Sequence, residues 1–317
     1  MIYCWLWEYI TNNKFKEQVT YMSQYAGKTV VISGGAEGIG FGIARAMGKQ
    51  GMNVVLGDID ARQLEISRTT LVNEGINVLT VKMDVTDLRQ WENLANKAVE
   101  RFGKVHMLVN NAGVGSMPGN IEHTDDKDWR WVLDVNLMGV IYGTQTMVPL
   151  MKQHGEGGWL INVASMAGMV GVPSAGAYTA TKVAVVGMSE SWYAELKPHN
   201  IQVSVLCPAF VKTRINLSTR NKPEALKSER EKNTKSMNNS PMAKHMQSVI
   251  DNGLSPDVVG ERVVEAISNK ELYIFTHPNY RKVLQKRFKN IDDAFARSES
   301  SPLLASVLDE EVALYSK

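Results

Sequence analysis

Cysteine is nearly absent from this chain of 317 residues: Cys4 and Cys207 are the only two. Two such distant thiols give no disulfide framework and no cysteine-based zinc site. Long apolar runs are missing as well; none reaches the ~18 residues that a membrane-crossing helix needs. Excess charge of one sign is also lacking, since 35 basic residues against 33 acidic ones leave +2. That balance argues against a dedicated nucleic-acid binder, which carries a basic face. Wholesale disorder is excluded by 44% hydrophobic residues, enough for a sizeable core. A cytoplasmic globular protein without a membrane partner is the expectation that remains.

What is present divides unevenly along the chain. Residues 1–26 do not match the rest. Met1–Ile10 is aromatic-rich, and its basic residues Lys14 and Lys16 follow the apolar stretch, the reverse of a secretory signal. They read as an extension ahead of an alternative start at Met22, or else as a short amphipathic helix. From Gly27 onward, continuous apolar runs alternate with helical spacing. Strands are expected at 28–33, 53–56, 77–83, 105–110, 159–164, 202–206 and 271–275. Helices are expected at 39–49, 61–73, 88–102, 129–153, 178–196 and 256–268. Strands without polar alternation are buried on both faces, and strand–helix alternation builds a parallel sheet with helices on both sides. The fold class expected is therefore α/β, a Rossmann-type doubly wound sheet of seven strands in one domain over 27–276, with a helical tail at 277–317.

One connection breaks the rhythm. About fifty residues separate the sixth strand from the last helix, where about 2–6 are usual. Lys212–Ile250 holds nine Lys/Arg against three Glu, a local +6. The insertion at about 212–255 reads as a lid over the active site, its charge as a solvated flap or as a lure for an anion. His123, His154, His199, His245 and His277 show no ligand spacing and read as surface residues, so no metal site is expected.

Two motifs carry chemistry. Ser33-Gly34-Gly35-Ala36-Glu37-Gly38-Ile39-Gly40 follows the first strand and opens the first helix. Glycines there admit a pyrophosphate to the backbone, and the helix N-terminus offers it unpaired N–H groups. Asp58 ends the second strand, 18 residues after Gly40. An acid in that place accepts the ribose hydroxyls and repels a 2′-phosphate, and Glu37 adds a second negative charge. Both favour NAD over NADP, while Arg62 nearby leaves NADP open. Asp84, at the end of the third strand, is a candidate acceptor for the adenine amino group. The second motif is Tyr178 and Lys182, at i and i+4 on one helical face. Tyrosine is a poor base, with pKa near ~10. An ammonium one turn away favours the phenolate and makes Tyr178 a usable general base. Ser165 ends the preceding strand and can hydrogen-bond a substrate oxygen.

These residues together resemble the single-domain short-chain dehydrogenase/reductase family. The matching motifs are SGGAEGIG (33–40), Asp84-Val85, NNAG (110–113), Asn136 in VNLMG, Ser165, Tyr178–Lys182 and Pro208 to Thr213. The resemblance implies that Ser165 polarises the substrate oxygen, Tyr178 is the acid/base and Lys182 binds the nicotinamide ribose, while Asn136 holds a relay water. It implies cofactor contacts from Gly34, Glu37, Gly38, Ile39, Gly40, Asp58, Asp84, Val85, Asn110, Ala112, Gly113, Pro208, Val211 and Thr213. Ser33 replaces the usual threonine, and Ala209 the usual glycine after Pro208. A weaker likeness over 252–276 and the tail is to bacterial members that oxidise benzylic alcohols of lignin-type dimers. Ser116, Met117, Met166, Met169 and Phe210 are the candidate substrate pocket, mostly apolar, and point to an apolar or aromatic alcohol or ketone. The family's four-helix interface implies a homodimer or homotetramer built on 129–153 and 178–196, with Met188 and Trp192 in it. A reductase working with NADPH, and a dinucleotide-sensing protein without chemistry, are the alternatives.

Overall fold

Ordered burial begins just before the first strand. A computed structural model describes residues 23–227 and 241–311. Tyr25 is 2% exposed, packs against Trp159 with centroids 5.1 Å apart and the rings tilted by 57°, and its hydroxyl lies 3.1 Å from Ser268 Oγ. The expected boundary at residue 26 therefore cuts into the core. Residues 1–22, with the start-site and amphipathic-helix readings, lie outside the described residues.

Seven strands follow, β1 (Thr29–Ser33), β2 (Asn53–Asp58), β3 (Val78–Lys82), β4 (Met107–Asn110), β5 (Gly158–Val163), β6 (Ile201–Cys207) and β7 (Tyr273–Phe275). All pair in parallel, in the order β3-β2-β1-β4-β5-β6-β7. The helices between them are α1 (Gly38–Lys49), α2 (Ala61–Asn73), α3 (Leu88–Phe102), α4 (Asp126–Leu133), α5 (Gly139–His154), α6 (Gly176–Leu196), α7 (Pro241–Asp251) and α8 (Pro256–Ser268); α9 (Arg281–Glu299) forms the tail. No described helix is long and apolar enough to cross a membrane.

The strand sequences explain the two core layers. Val30 and Ile32 point to one face, where Ile43 and Met47 of α1 and Val263 and Ile267 of α8 cover them. Val31 between them points to the other, under Trp91 and Leu94 of α3 and Met147 and Met151 of α5. Every side chain of β1 is buried, which is why it reads as a continuous apolar run. Strand order reverses between β1 and β4, and such a switch point opens a crevice at the C-terminal strand ends.

The single helix expected over 129–153 is broken. Asp134–Met138 is a π-helical turn between α4 and α5, and Pro149 lies within α5. In the insertion, the described part begins with two short 3-10 turns, Ile215–Asn221 and Glu224–Leu226. Residues 228–240 of the insertion lie outside the described residues.

Candidate active site

The glycine loop leaves β1 through Gly34, at φ +62°, and enters α1 through Gly38, at φ +58°. A Cβ on Gly40 would lie 2.3 Å from the Gly34 carbonyl oxygen, so only glycine fits there. α2 and α3 begin with aspartates, Asp60 and Asp87, whose carboxylates accept helix N–H groups. α1 has no such side-chain cap. Its first N–H groups are thus open to a phosphate, and the loop fits a dinucleotide cofactor on this ground.

Asn111 holds this loop to the end of β4. Its Nδ2 donates to the carbonyls of Ser33 (3.0 Å) and Gly34 (2.8 Å), and the Ser33 hydroxyl accepts from Asn111 N and Ala112 N. The departure to Ser33 keeps this bridge. Sequence reasoning singled out Asn110 and passed over Asn111. Their side chains part: that of Asn110 is buried, donating to Thr144 Oγ1 and Asn162 Oδ1. Its side chain serves the core, so only its backbone faces the crevice end of β4.

Asp58 lies at the end of β2 with its carboxylate accepting from Ala36 N (3.1 Å) and Asp60 N (3.0 Å). Burial pushes its pKa up against those bonds. Asp84 Oδ1 is taken by Thr86, through both N–H and hydroxyl. The Val85 side chain packs in the core, and Ile39 is half-buried against the other layer. Thr213 lies over Gly38, its Cγ2 3.0 Å from where a Cβ would stand. Val211 is buried and bridges to Leu254.

Glu37 does not present a free negative charge. It is paired with Arg214 and Arg220 from the insertion. A second anchor is buried: Lys222 Nζ lies 3.1 Å from Asp128 Oδ1, with side-chain exposures of 0% and 2%, and over the Trp131 ring. Asp128 also accepts from Met117 N (3.1 Å). A solvated flap is therefore the wrong description of 212–227, because two of its cations hold the phosphate loop and one is buried under α4.

Two of the catalytic candidates, Asn136 and Lys182, meet beside Gly113. A Cβ there would lie 3.4 Å from Asn136 Oδ1 and 3.5 Å from Lys182 Nζ. Asn136 is fully buried in the π turn; its Oδ1 accepts from Val114 N and its Nδ2 donates to Val114 O. Ser165 Oγ accepts from Ala167 N and donates to Pro208 O at 3.5 Å, while Tyr178 is half-buried, with the Ser165 hydroxyl near enough to favour its phenolate. Lys182 Nζ donates to Val163 O (2.8 Å) and lies 5.6 Å from the Tyr178 ring centroid. Burial lowers the Lys182 pKa to about 8. In the chain alone burial raises the Tyr178 pKa, and the nearby Ser165 hydroxyl only partly opposes that. Both groups lose water faster than they gain each other's charge.

Among the pocket candidates, Ser116 and Met117 are half-buried and Phe210 is 37% exposed. Met166 is 4% exposed, packed with Val185 and Val205, and Met169 lies against the same cluster. Met166 is thus core, not lining. Met188 and Trp192 are half-buried in the chain's own clusters.

His154 is not a free surface residue. It stands beside His106, which sequence reasoning passed over, and Glu156, with ligand atoms within 4.8 Å. Thr29 N donates to His106 Nδ1, so Nε2 carries the proton toward Glu156; His154 Nε2 faces the Val105 carbonyl and its Nδ1 accepts from Glu156 N. Every ring lone pair is thereby used, and the cluster is a clasp joining the β1, β4 and β5 entries.

A doubly wound sheet, with an uncapped glycine-rich helix entry beside a serine, tyrosine and lysine, defines a dinucleotide-dependent oxidoreductase. The family model for short chain dehydrogenase matches residues 28–224, and the chain belongs to that family. It is similar to a "CLA biosynthesis dehydrogenase/reductase" of Lactiplantibacillus plantarum, 32% identical over 85% of this chain and 95% of that one. A "C alpha-dehydrogenase" of a Sphingobium species is 32% identical over 89% and 90%. A solved short chain dehydrogenase/reductase from Burkholderia phymatum, in complex with NAD, superposes with a TM-score of 0.80, at 34% identity over 92% of this chain and 99% of that one. This chain accordingly moves a hydride between a nicotinamide cofactor and an alcohol or ketone.

Proposed function

We propose that the substrate is an apolar or aromatic secondary alcohol, oxidised to its ketone with NAD as the favoured cofactor, by a cytoplasmic homo-oligomer. The observation that carries the chemistry is Lys182 Nζ, which lies beside Gly113 with Asn136 and 5.6 Å from the Tyr178 ring, itself near Ser165. Ser165 holds the substrate oxygen. Tyr178 takes the hydroxyl proton as the carbinol becomes a carbonyl, and returns it in reduction. Lys182 fixes a ribose and keeps positive charge near Tyr178. Asn136 closes the inner wall, with Thr181 Oγ1 and Val114 as its partners. When bound, the nicotinamide supplies the carbon that accepts or returns the hydride. Asp58 supports NAD through its place at the end of β2. The likeness to a C alpha-dehydrogenase supports a benzylic position.

Tyr178→Phe tests the reading. Turnover falls by about 10²–10⁴-fold while NADH binding, followed by fluorescence, is kept. Turnover near wild type refutes the role. A panel of steroidal, benzylic and sugar-like alcohols, followed by NADH absorbance, tests the pocket, and silence from every apolar alcohol refutes it. One observation favours a second reading, reduction of ketones with NADPH: Arg214 and Arg220 cancel the Glu37 charge that would repel a 2′-phosphate. Initial rates with the two cofactors separate the readings.

A further inference from the structure

Among the described residues, the tail helix α9 is buried only near its start. Leu284 is buried, whereas Phe288 (51% exposed), Ile291 (41%) and Phe295 (67%) are not. At about 100° per residue these four side chains fall within about 60° of arc. They form a heptad-spaced stripe, the pattern of a helix that packs on another helix. The opposite face is polar and carries the Lys289–Asp293 ion pair at 2.7 Å. A groove of about 710 Å³ runs between this helix and Val170–Gly171, residues that follow Ser165 in the chain.

We propose that α9 packs antiparallel against α9 of a second copy of this chain, about a twofold axis between Lys289 and Asn290. The stripe itself is symmetric about that point: Phe288 and Ile291 stand equally far from it, as do Leu284 and Phe295. A twofold interface must be self-complementary in this way, residue i meeting j and j meeting i. Charge agrees. Arg281 and Glu299 lie on the same flank of the stripe, at its two ends, so an antiparallel pair sets Arg281 against Glu299 of the partner subunit. In a parallel pair the two copies of one flank lie on opposite sides of the seam, so Arg281 and Glu299 would find no such partner. The first half of the helix is basic overall and the second acidic overall, so the same order also brings halves of opposite net charge side by side. The partner's helix would also cover the open side of the groove beside Val170. This surface is separate from α5 and α6, where the family interface is expected.

The full-length protein tests this by sedimentation velocity and cross-linking. Phe288→Glu with Phe295→Glu should lower the assembly by one association step, with helix content and melting unchanged. Arg281→Glu or Glu299→Arg alone should weaken association about two- to five-fold, and the two together should restore it. In a Cys4→Ser background, mild oxidation should link a Phe288→Cys subunit to an Ile291→Cys subunit. A monomeric wild type, an unchanged mass in the double glutamate variant, or preferential linking of Phe288→Cys to itself overturns the proposal. The cross-link keeps it falsifiable if the glutamate variant fails to fold.

Discussion

Lys222→Met removes one charge of an ion pair whose side chains are 0% and 2% exposed. Deleting one member of a buried pair costs about 3–5 kcal/mol, against about 0–1 kcal/mol for a surface pair. Methionine keeps the length of the stem and its contact with Trp131, so little of the loss comes from packing. Urea unfolding reads the change as a shift of midpoint, and at 1.4 kcal/mol per factor of ten the folded-to-unfolded ratio drops about 10²-fold or more. Asp128→Asn with Lys222→Met completes a double-mutant cycle, and the pair variant should lose less than the two singles summed. Buried charges are little screened, so the loss should persist in high salt. If 212–227 lifts off before the sheet opens, the loss is capped at the cost of lifting, and new protease cleavage appears within that segment. A loss below about 1 kcal/mol without new cleavage, or one that vanishes in salt, refutes the anchor.

Asp58→Ala should weaken NAD more than NADP; equal loss by titration calorimetry would show that Asp58 is not the selector. Gly40→Ala forces a Cβ to 2.3 Å from the Gly34 oxygen, so dinucleotide affinity and melting temperature should both fall, and a variant that binds normally refutes the close approach. Oxidation needs the Tyr178 phenolate, whose pKa burial holds up, so kcat/KM for oxidation should climb between about pH 6 and 9; a flat profile refutes it. His106 is held neutral below its ordinary 6.5 by burial, and Glu156 is held to about 2 by Lys104 and His106. The unfolded chain takes up protons first at both, so their stabilisation is full above 6.5 and is lost as pH falls, through His106 first and then through Glu156 from 4.5 toward about 2. His106→Gln should flatten the upper part of the acid limb in a melting series and Glu156→Gln the lower part; limbs parallel to wild type refute the clasp.

Strands and helices were legible because burial on both faces leaves a local mark: every residue of β1 is buried, and every one of its side chains is read as apolar or small. The glycine loop and the Tyr178–Lys182 spacing were legible for the same reason, since their geometry is set within a few residues. The π turn at Asp134–Met138 left no such mark, because one extra residue in a turn barely alters a period read over four turns. His106 and Glu156 meet across fifty positions, and Asn111 reaches back to Ser33 across 78. No local window pairs them. For Tyr178, spacing shows the nearby ammonium but not the burial that raises its pKa in the chain alone.

The insertion's charge has the largest consequence for substrate choice. Of its five described cations between Lys212 and Lys227, Arg214 and Arg220 hold Glu37, Lys222 holds Asp128, and Lys227 lies on Glu224. A cation already matched to a carboxylate offers little attraction to an anionic substrate, since its field is cancelled within a few ångströms. The +6 of the whole stretch therefore says little about what enters the crevice through this described part. Uncharged side chains near these loops stay at least partly open to solvent: Phe210 just before the segment, half-buried Met117 and exposed Val172. Their apolar surface gains by leaving water only against another apolar surface. The charge that first marked this segment holds it in place, against Glu37 of the glycine loop and Asp128 of α4.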